Sequence, residues 1–187
     1  MTAAPPIAFA LFDTAIGTCA VAWGDRGIVS MQLPESTSAT TRERMLRRQR
    51  GAVESTPPPS VQAVIEGVTA LMDGEDVDLS RVELDMRDVP EFHRRVYEVA
   101  LQIPRGQTMT YGEIANRLDE PGAARAVGQA LGANPFAPVV PCHRVLAAGA
   151  KLGGFSAQGG LGTKLRILAI EGARVTQAQT LDLFDNT

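Results

Sequence analysis

Apolar positions fall in two regimes along this chain. The first third carries short runs, and the rest carries helical spacing. Residues 7–12 (Ile-Ala-Phe-Ala-Leu-Phe), 18–23 and 27–33 predict three short strands. Gly17 marks the first turn and Gly24-Asp25-Arg26-Gly27 the second, so the strands form an antiparallel meander. Residues 39–50 predict a short basic helix, read as a plain solvated face with DNA contact as the alternative. Thr56-Pro57-Pro58-Pro59-Ser60 is a stiff linker and a helix start. Val61, Val64, Ile65, Val68 and Leu71 then recur at helical spacing up to Asp73-Gly74. Residues 81–86 alternate and predict one more strand.

The second half reads as helical. Pro90 suits the first turn of a helix to about Gln102, with Phe92, Val96, Val99 and Ala100 inward. Pro104-Arg105-Gly106 ends it. Thr110 is a candidate cap for a short helix over 111–118, Pro121-Gly122 is a turn, and 123–132 is the next helix. Two short helices on a tight turn have the outline of a helix-turn-helix. In the second of them, Ala123 to Ala130 has almost no bulk except Arg125. Such a face suits close packing on a neighbour, or entry into the narrow minor groove with one arginine to insert. Residues 149–162 are glycine-rich and predict a surface loop, 161–171 a last helix, and 176–187 a loose tail. The fold class is therefore α+β: a small N-terminal antiparallel sheet with helices over 1–87, and a helical domain over 88–175.

Composition narrows the function. The chain has 187 residues, with 44% hydrophobic and 21% charged, and no apolar run long enough to span a membrane. Its N-terminus lacks the basic segment of a secretory signal, which predicts a cytoplasmic protein. The net charge of −3 is unevenly spread. Residues 88–175 hold ten Lys and Arg against seven Asp and Glu, whereas residues 1–87 hold eight against twelve. The positive half is compatible with a partner made of phosphates. Two cysteines, Cys19 and Cys142, do not make a disulfide scaffold. Neither lies at zinc-ligand spacing from a histidine, so no metal and no cofactor are expected.

The candidate chemistry centres on Pro141-Cys142-His143-Arg144-Val145, which follows the apolar run Pro138-Val139-Val140. A thiol beside His and Arg sits in a potentially electropositive spot, which lowers its pKa and favours the thiolate. The alternative is a buried structural cysteine.

Further motifs appear in one order around it: Pro104-Arg105-Gly106, Thr110-Tyr111-Gly112, Ala124-Arg125-Ala126-Val127-Gly128, Asn134-Pro135, Gly153-Gly154 and Lys164 through Glu171. Together they resemble the O6-alkylguanine-DNA alkyltransferase family, closely over about residues 88–172 and in outline before that. The resemblance implies a ribonuclease-H-like N-terminal domain over 1–87 and a DNA-binding, alkyl-accepting domain over 88–175. It implies irreversible transfer of an alkyl group from O6-alkylguanine in double-stranded DNA to Cys142, once per molecule. O4-alkylthymine is a further candidate substrate, and a monomer bound through the minor groove is expected.

The resemblance also implies roles. Cys142 accepts the alkyl group, His143 is the base acting through a water, and Glu171 orients His143. Asn134 braces the turn and Arg144 anchors it. Tyr111 donates to the departing guanine, and Arg125 fills the base stack. Ala124, Ala126, Gly128 and Thr110 lie on the DNA side. The carbonyls of Cys142 and Val145 read the exocyclic amine, and Ser156 and Phe155 line the pocket. The 153–160 loop departs from the family pattern, with Phe155 where tyrosine is usual and two extra residues before its glycine pair. A non-catalytic module that senses alkylated bases lacks the cysteine that this chain has. A cysteine hydrolase would need an oxyanion-hole motif, which the sequence does not show.

Overall fold

A computed structural model describes residues 6–149, 154, 157 and 159–173. The meander forms as patterned. Strands β1 (Ala8–Thr14), β2 (Gly17–Gly24) and β3 (Gly27–Gln32) pair antiparallel in sequence order. A two-residue strand, β4 (Val53–Glu54), adds to the free edge of β1 in parallel, so the sheet order is β3-β2-β1-β4 and the sheet is mixed. Cys19 through Trp23 on β2 are all buried. A strand buried on both faces needs no polar alternation, and none is present in this run. Helix α1 (Ser38–Arg48) starts at a capping box closed by Thr37 and Thr40 and sets Met45 against Phe9, Ala20 and Ala22. Helix α2 (Pro59–Met72) buries the predicted stripe Val61, Val64, Ile65, Val68 and Leu71, with Met72 beside it.

The strand expected at 81–86 is absent. Only Leu84 bridges to Ile28, held by Ile28 N–H to Glu83 O (2.9 Å) and Asp85 N–H to Ile28 O (2.8 Å). Gly27 explains how this segment comes so near: a Cβ there would stand 2.3 Å from the Glu83 carbonyl, and its φ is +118°.

The chain forms two units: Met1–Asp88 with Pro135–Val139, and Val89–Asn134 with Val140–Thr187. Pro135–Val139 thus belongs to the first unit, where Met31 N–H donates to Pro135 O at 2.7 Å.

The second unit contains α3 (Glu91–Leu101), α4 (Tyr111–Arg117), α5 (Ala124–Gly132) and α6 (Gly160–Ile170). Helices α3, α4 and α5 pack on one another. Tyr97, which the spacing argument did not place inward, is buried on α3, and its hydroxyl donates to Ala130 O of α5 at 2.8 Å. The α4–α5 turn uses positive φ at Asp119 (59°) and Gly122 (97°). Arg95 of α3 holds this turn by donating to Leu118 O (2.8 Å) and Glu120 (2.6 Å). Two short parallel strands, β5 (Met109–Thr110) and β6 (Val145–Leu146), join the start of α4 to the end of a 3-10 turn over Cys142–Arg144. None of the helices among the described residues is long and apolar enough to cross a membrane.

Candidate active site

Cys142 begins that 3-10 turn at the end of the run Pro138-Val139-Val140. Its N–H donates to Val140 O at 2.8 Å, and Asn134 Nδ2 donates to the same carbonyl at 2.9 Å. Asn134 therefore fixes the entry to the turn, and its amide also reaches the Cys142 sulfur. On the other side of the turn, Lys164 Nζ donates to Val145 O at 2.5 Å.

His143 and Glu171 are both buried, with their side chains 1% and 0% exposed, and His143 Nε2 lies 2.9 Å from Glu171 Oε1. Arg144 grips the same carboxylate with two nitrogens, Nε to Oε2 at 3.0 Å and Nη2 to Oε1 at 2.7 Å, and donates Nη1 to Ile103 O at 2.6 Å. Burial alone would raise the Glu171 pKa. The hydrogen bonds from His143 and Arg144, with the Arg144 charge, outweigh it and hold the group at about 2. Glu171 is therefore a carboxylate and only an acceptor, so His143 must present N–H at Nε2. Burial keeps His143 neutral, pushing its pKa below the ordinary value despite Glu171. Its Nδ1 is then a bare lone pair, the form a base needs.

The thiol differs from the sequence expectation. Burial pushes the Cys142 pKa up, and the Asn134 hydrogen bond, the Lys164 charge and two backbone N–H groups only partly offset this. The resting group is a thiol, so its use as a nucleophile needs a base at the moment of reaction. Tyr111 is also pushed up, first by burial and then by the thiolate charge, so it keeps its proton.

Cys142 opens into a cavity of about 550 Å³ together with Tyr111, Ala124, Arg125, Gly128 and Gln129. Thr110 caps α4: its hydroxyl accepts from Glu113 N–H (3.2 Å) and donates to the Glu113 carboxylate (2.8 Å). That places Tyr111 at the first position of the helix. Gly128 faces the Tyr111 ring, where a Cβ would make only ordinary contact at 3.9 Å. Ala126 does not line the cavity. Ser156 and Phe155 lie outside the described residues. Cys19 is buried in the sheet, and burial raises its pKa to about 12.

Comparison with known proteins decides the family. A family model described as 6-O-methylguanine DNA methyltransferase, DNA binding domain, matches residues 91–173. A methylated-DNA–protein-cysteine methyltransferase of Mycolicibacterium paratuberculosis is 38% identical over 179 residues, covering 96% of this chain and 99% of that protein. The chain belongs to the methylated-DNA–protein-cysteine methyltransferase family. The crystal structure of Mycobacterium tuberculosis OGT in complex with DNA superposes with a TM-score of 0.73 at 34% identity, covering 93% of this chain and 98% of that one. An O6-methylguanine-DNA methyltransferase from Pyrococcus kodakaraensis, at 26% identity and a TM-score of 0.68, shares the fold. Within this methyltransferase-family site, sequence reasoning missed Lys164 as a buried charge. Its position one helical stripe before Glu171 was the available signal, since Lys164, Ile167, Leu168 and Glu171 follow the spacing i, i+3, i+4, i+7.

Proposed function

We propose that the chain repairs DNA by moving an alkyl group, methyl above all, from O6 of a guanine in duplex DNA onto Cys142. The observation that carries this reading is the buried Cys142-His143 turn, with His143 Nε2 held 2.9 Å from Glu171 and the sulfur facing a cavity shared with Tyr111 and Arg125. His143 Nδ1 takes the thiol proton through a water. The sulfur attacks the alkyl carbon, the carbon–O6 bond breaks, and its electrons pass to the guanine. Tyr111 donates to the ring as that charge develops. The carbonyls of Cys142 and Val145 accept from the guanine amine, and Asn134 and Arg144 keep the turn in place. The product is a stable thioether, so each molecule acts once.

The target atom lies inside the duplex, so the nucleotide must be flipped out. Helix α5 presents Ala124, Arg125 and Gly128 to the cavity, and this thin face suits approach to the minor groove, Arg125 filling the vacated stack. The protein acts as a monomer in the cytoplasm, its 1–87 part a ribonuclease-H-like companion to the 88–175 part.

The deciding experiment mixes the protein with duplex DNA containing one O6-methylguanine and measures intact mass, with Cys142→Ala as control. A gain of one methyl on the parent alone, mapped to Cys142 and saturating at one per molecule, is expected. No gain with the DNA still bound would favour a damage-sensing module. Neither gain nor binding would defeat the substrate assignment. Tyr111→Phe should still methylate Cys142, roughly tenfold to a hundredfold more slowly in single-turnover kinetics. An unchanged rate would remove Tyr111 as the donor.

A further inference from the structure

Helix α5 turns only two long side chains outward. Val127, Ala130 and Leu131 are buried, and the helix packs on α3 and α4. On its remaining faces every side chain is a hydrogen or a methyl except Arg125 and Gln129, both exposed and one turn apart. Both line the cavity that Cys142 also lines, and no described residue takes up the Gln129 amide. Packing does not require the glycines beside them. A Cβ at Gly132 would meet nothing within 4 Å, and one at Gly128 only the Tyr111 ring at 3.9 Å. Glycine weakens a helix, so the low relief of this face suits a partner that comes very close from outside.

In the minor groove every base pair presents acceptors, on purine N3 and pyrimidine O2, whereas only the guanine amine presents a donor. Arg125 carries donors and no acceptor, so it meets all pairs alike. Gln129 carries both, at Nε2 and Oε1. It is the one side chain on the exposed face of α5 able to accept from a guanine amine. Four residues of helix advance about 6 Å, which is one to two base-pair steps of about 3.4 Å.

We propose that Gln129 is a specificity-determining residue of the DNA site. With Arg125 in the vacated stack, its Oε1 accepts from the N2 amine of a guanine one or two pairs from the lesion, while Nε2 donates to N3 of the same base. Lesions beside G·C pairs are then repaired faster than lesions beside A·T pairs. This rests on the reading of α5 as the minor-groove face in alkyl transfer to Cys142. The preference runs against duplex stability, since G·C neighbours hold the lesion more firmly in the stack and would by themselves slow flipping.

The test measures single-turnover methyl transfer, below saturation, from duplexes in which the first or second pair on either side of O6-methylguanine is G·C or inosine·C. Inosine lacks only the amine. In the parent, inosine should slow transfer about threefold to tenfold at one of these positions, although it loosens the duplex. Adding the amine to an A·T neighbour, as 2,6-diaminopurine·T, should speed transfer at that same position. In Gln129→Leu, which keeps a good helix former on an exposed site, the ratio of G·C to inosine·C rates should fall to one or below. Equal rates at all these positions in the parent would overturn the proposal, and that comparison needs no variant to fold. So would a ratio that persists in Gln129→Leu, since another group would then read the amine. If no duplex methylates the chain, the alkyl-acceptor reading fails, and fluorescence anisotropy of the parent on the same duplexes decides. Tighter binding beside G·C by a similar factor would support the contact, and equal affinities would overturn it.

Discussion

Glu171→Gln should unfold roughly 10 °C below the parent at pH 7, a loss of about 3 kcal/mol or more. The carboxylate side chain is fully buried and accepts from His143 at 2.9 Å and from Arg144 at 2.7 and 3.0 Å. Replacing it by an amide leaves the largely covered Arg144 guanidinium against a neutral group. The amide also presents its own N–H, so it can turn to face Arg144 or His143 but satisfies both poorly. Alkyl transfer should slow with it, because Nε2 of His143 is no longer fixed as the donor and Nδ1 no longer fixed as the base.

The pH dependence separates this from a general packing defect. Glu171 titrates at about 2 in the folded chain against an ordinary 4.5. The unfolded chain therefore binds more protons between those values, and the stability that Glu171 contributes is present above 4.5 and is lost as the pH falls towards 2. The gap between the parent and Glu171→Gln should close over that window. His143 adds a slope at higher pH in both proteins. Burial depresses its pKa below 6.5, so the unfolded chain takes up that proton first and stability declines as the pH drops below 6.5. Denaturant midpoints from pH 7 down to 2 would test the prediction, and a gap that stayed constant throughout would rule out the charge as its origin.

The parts legible in the sequence are those that repeat a pattern. The meander follows its glycine turns, and α2 follows an unbroken apolar stripe. Residues 81–86 alternate as a strand does, yet they make one bridge, because pairing depends on where the partner edge runs and not on the segment's own alternation. Strands β5 and β6 have two residues each, too few to carry any period, although they tie Thr110 to the end of the Cys142 turn. Glu171 lies 28 residues from His143, and only the family resemblance pointed to that pair. The thiol was misread for a related reason. Neighbours in sequence report the charges beside Cys142, but the desolvation that pushes its pKa up comes from the whole fold around it.

Arg125→Ala should spare Cys142 and still cost duplex repair on the order of a hundredfold to a thousandfold. Arg125 is exposed on α5, one turn before Gln129, and lines the cavity that Cys142 closes. Among the described residues it makes no bond to the turn that holds the sulfur, so its loss leaves the Asn134, Lys164 and Glu171 contacts in place. What it would supply is a guanidinium plane in the gap left by the flipped nucleotide. Flipping costs roughly a few kcal/mol, and an arginine in the proposed role would offset part of that cost. Each 1.36 kcal/mol is about tenfold in rate. A substrate with no stack to leave feels none of this. Single-turnover rates on duplex DNA, on single-stranded DNA and on the free base O6-methylguanine should therefore fall steeply, slightly and not at all in Arg125→Ala. Equal losses on all three would place Arg125 in the chemistry or in the fold. An unchanged duplex rate would show that another group fills the stack, with Gln129, exposed one turn further along α5 and lining the same cavity, the candidate.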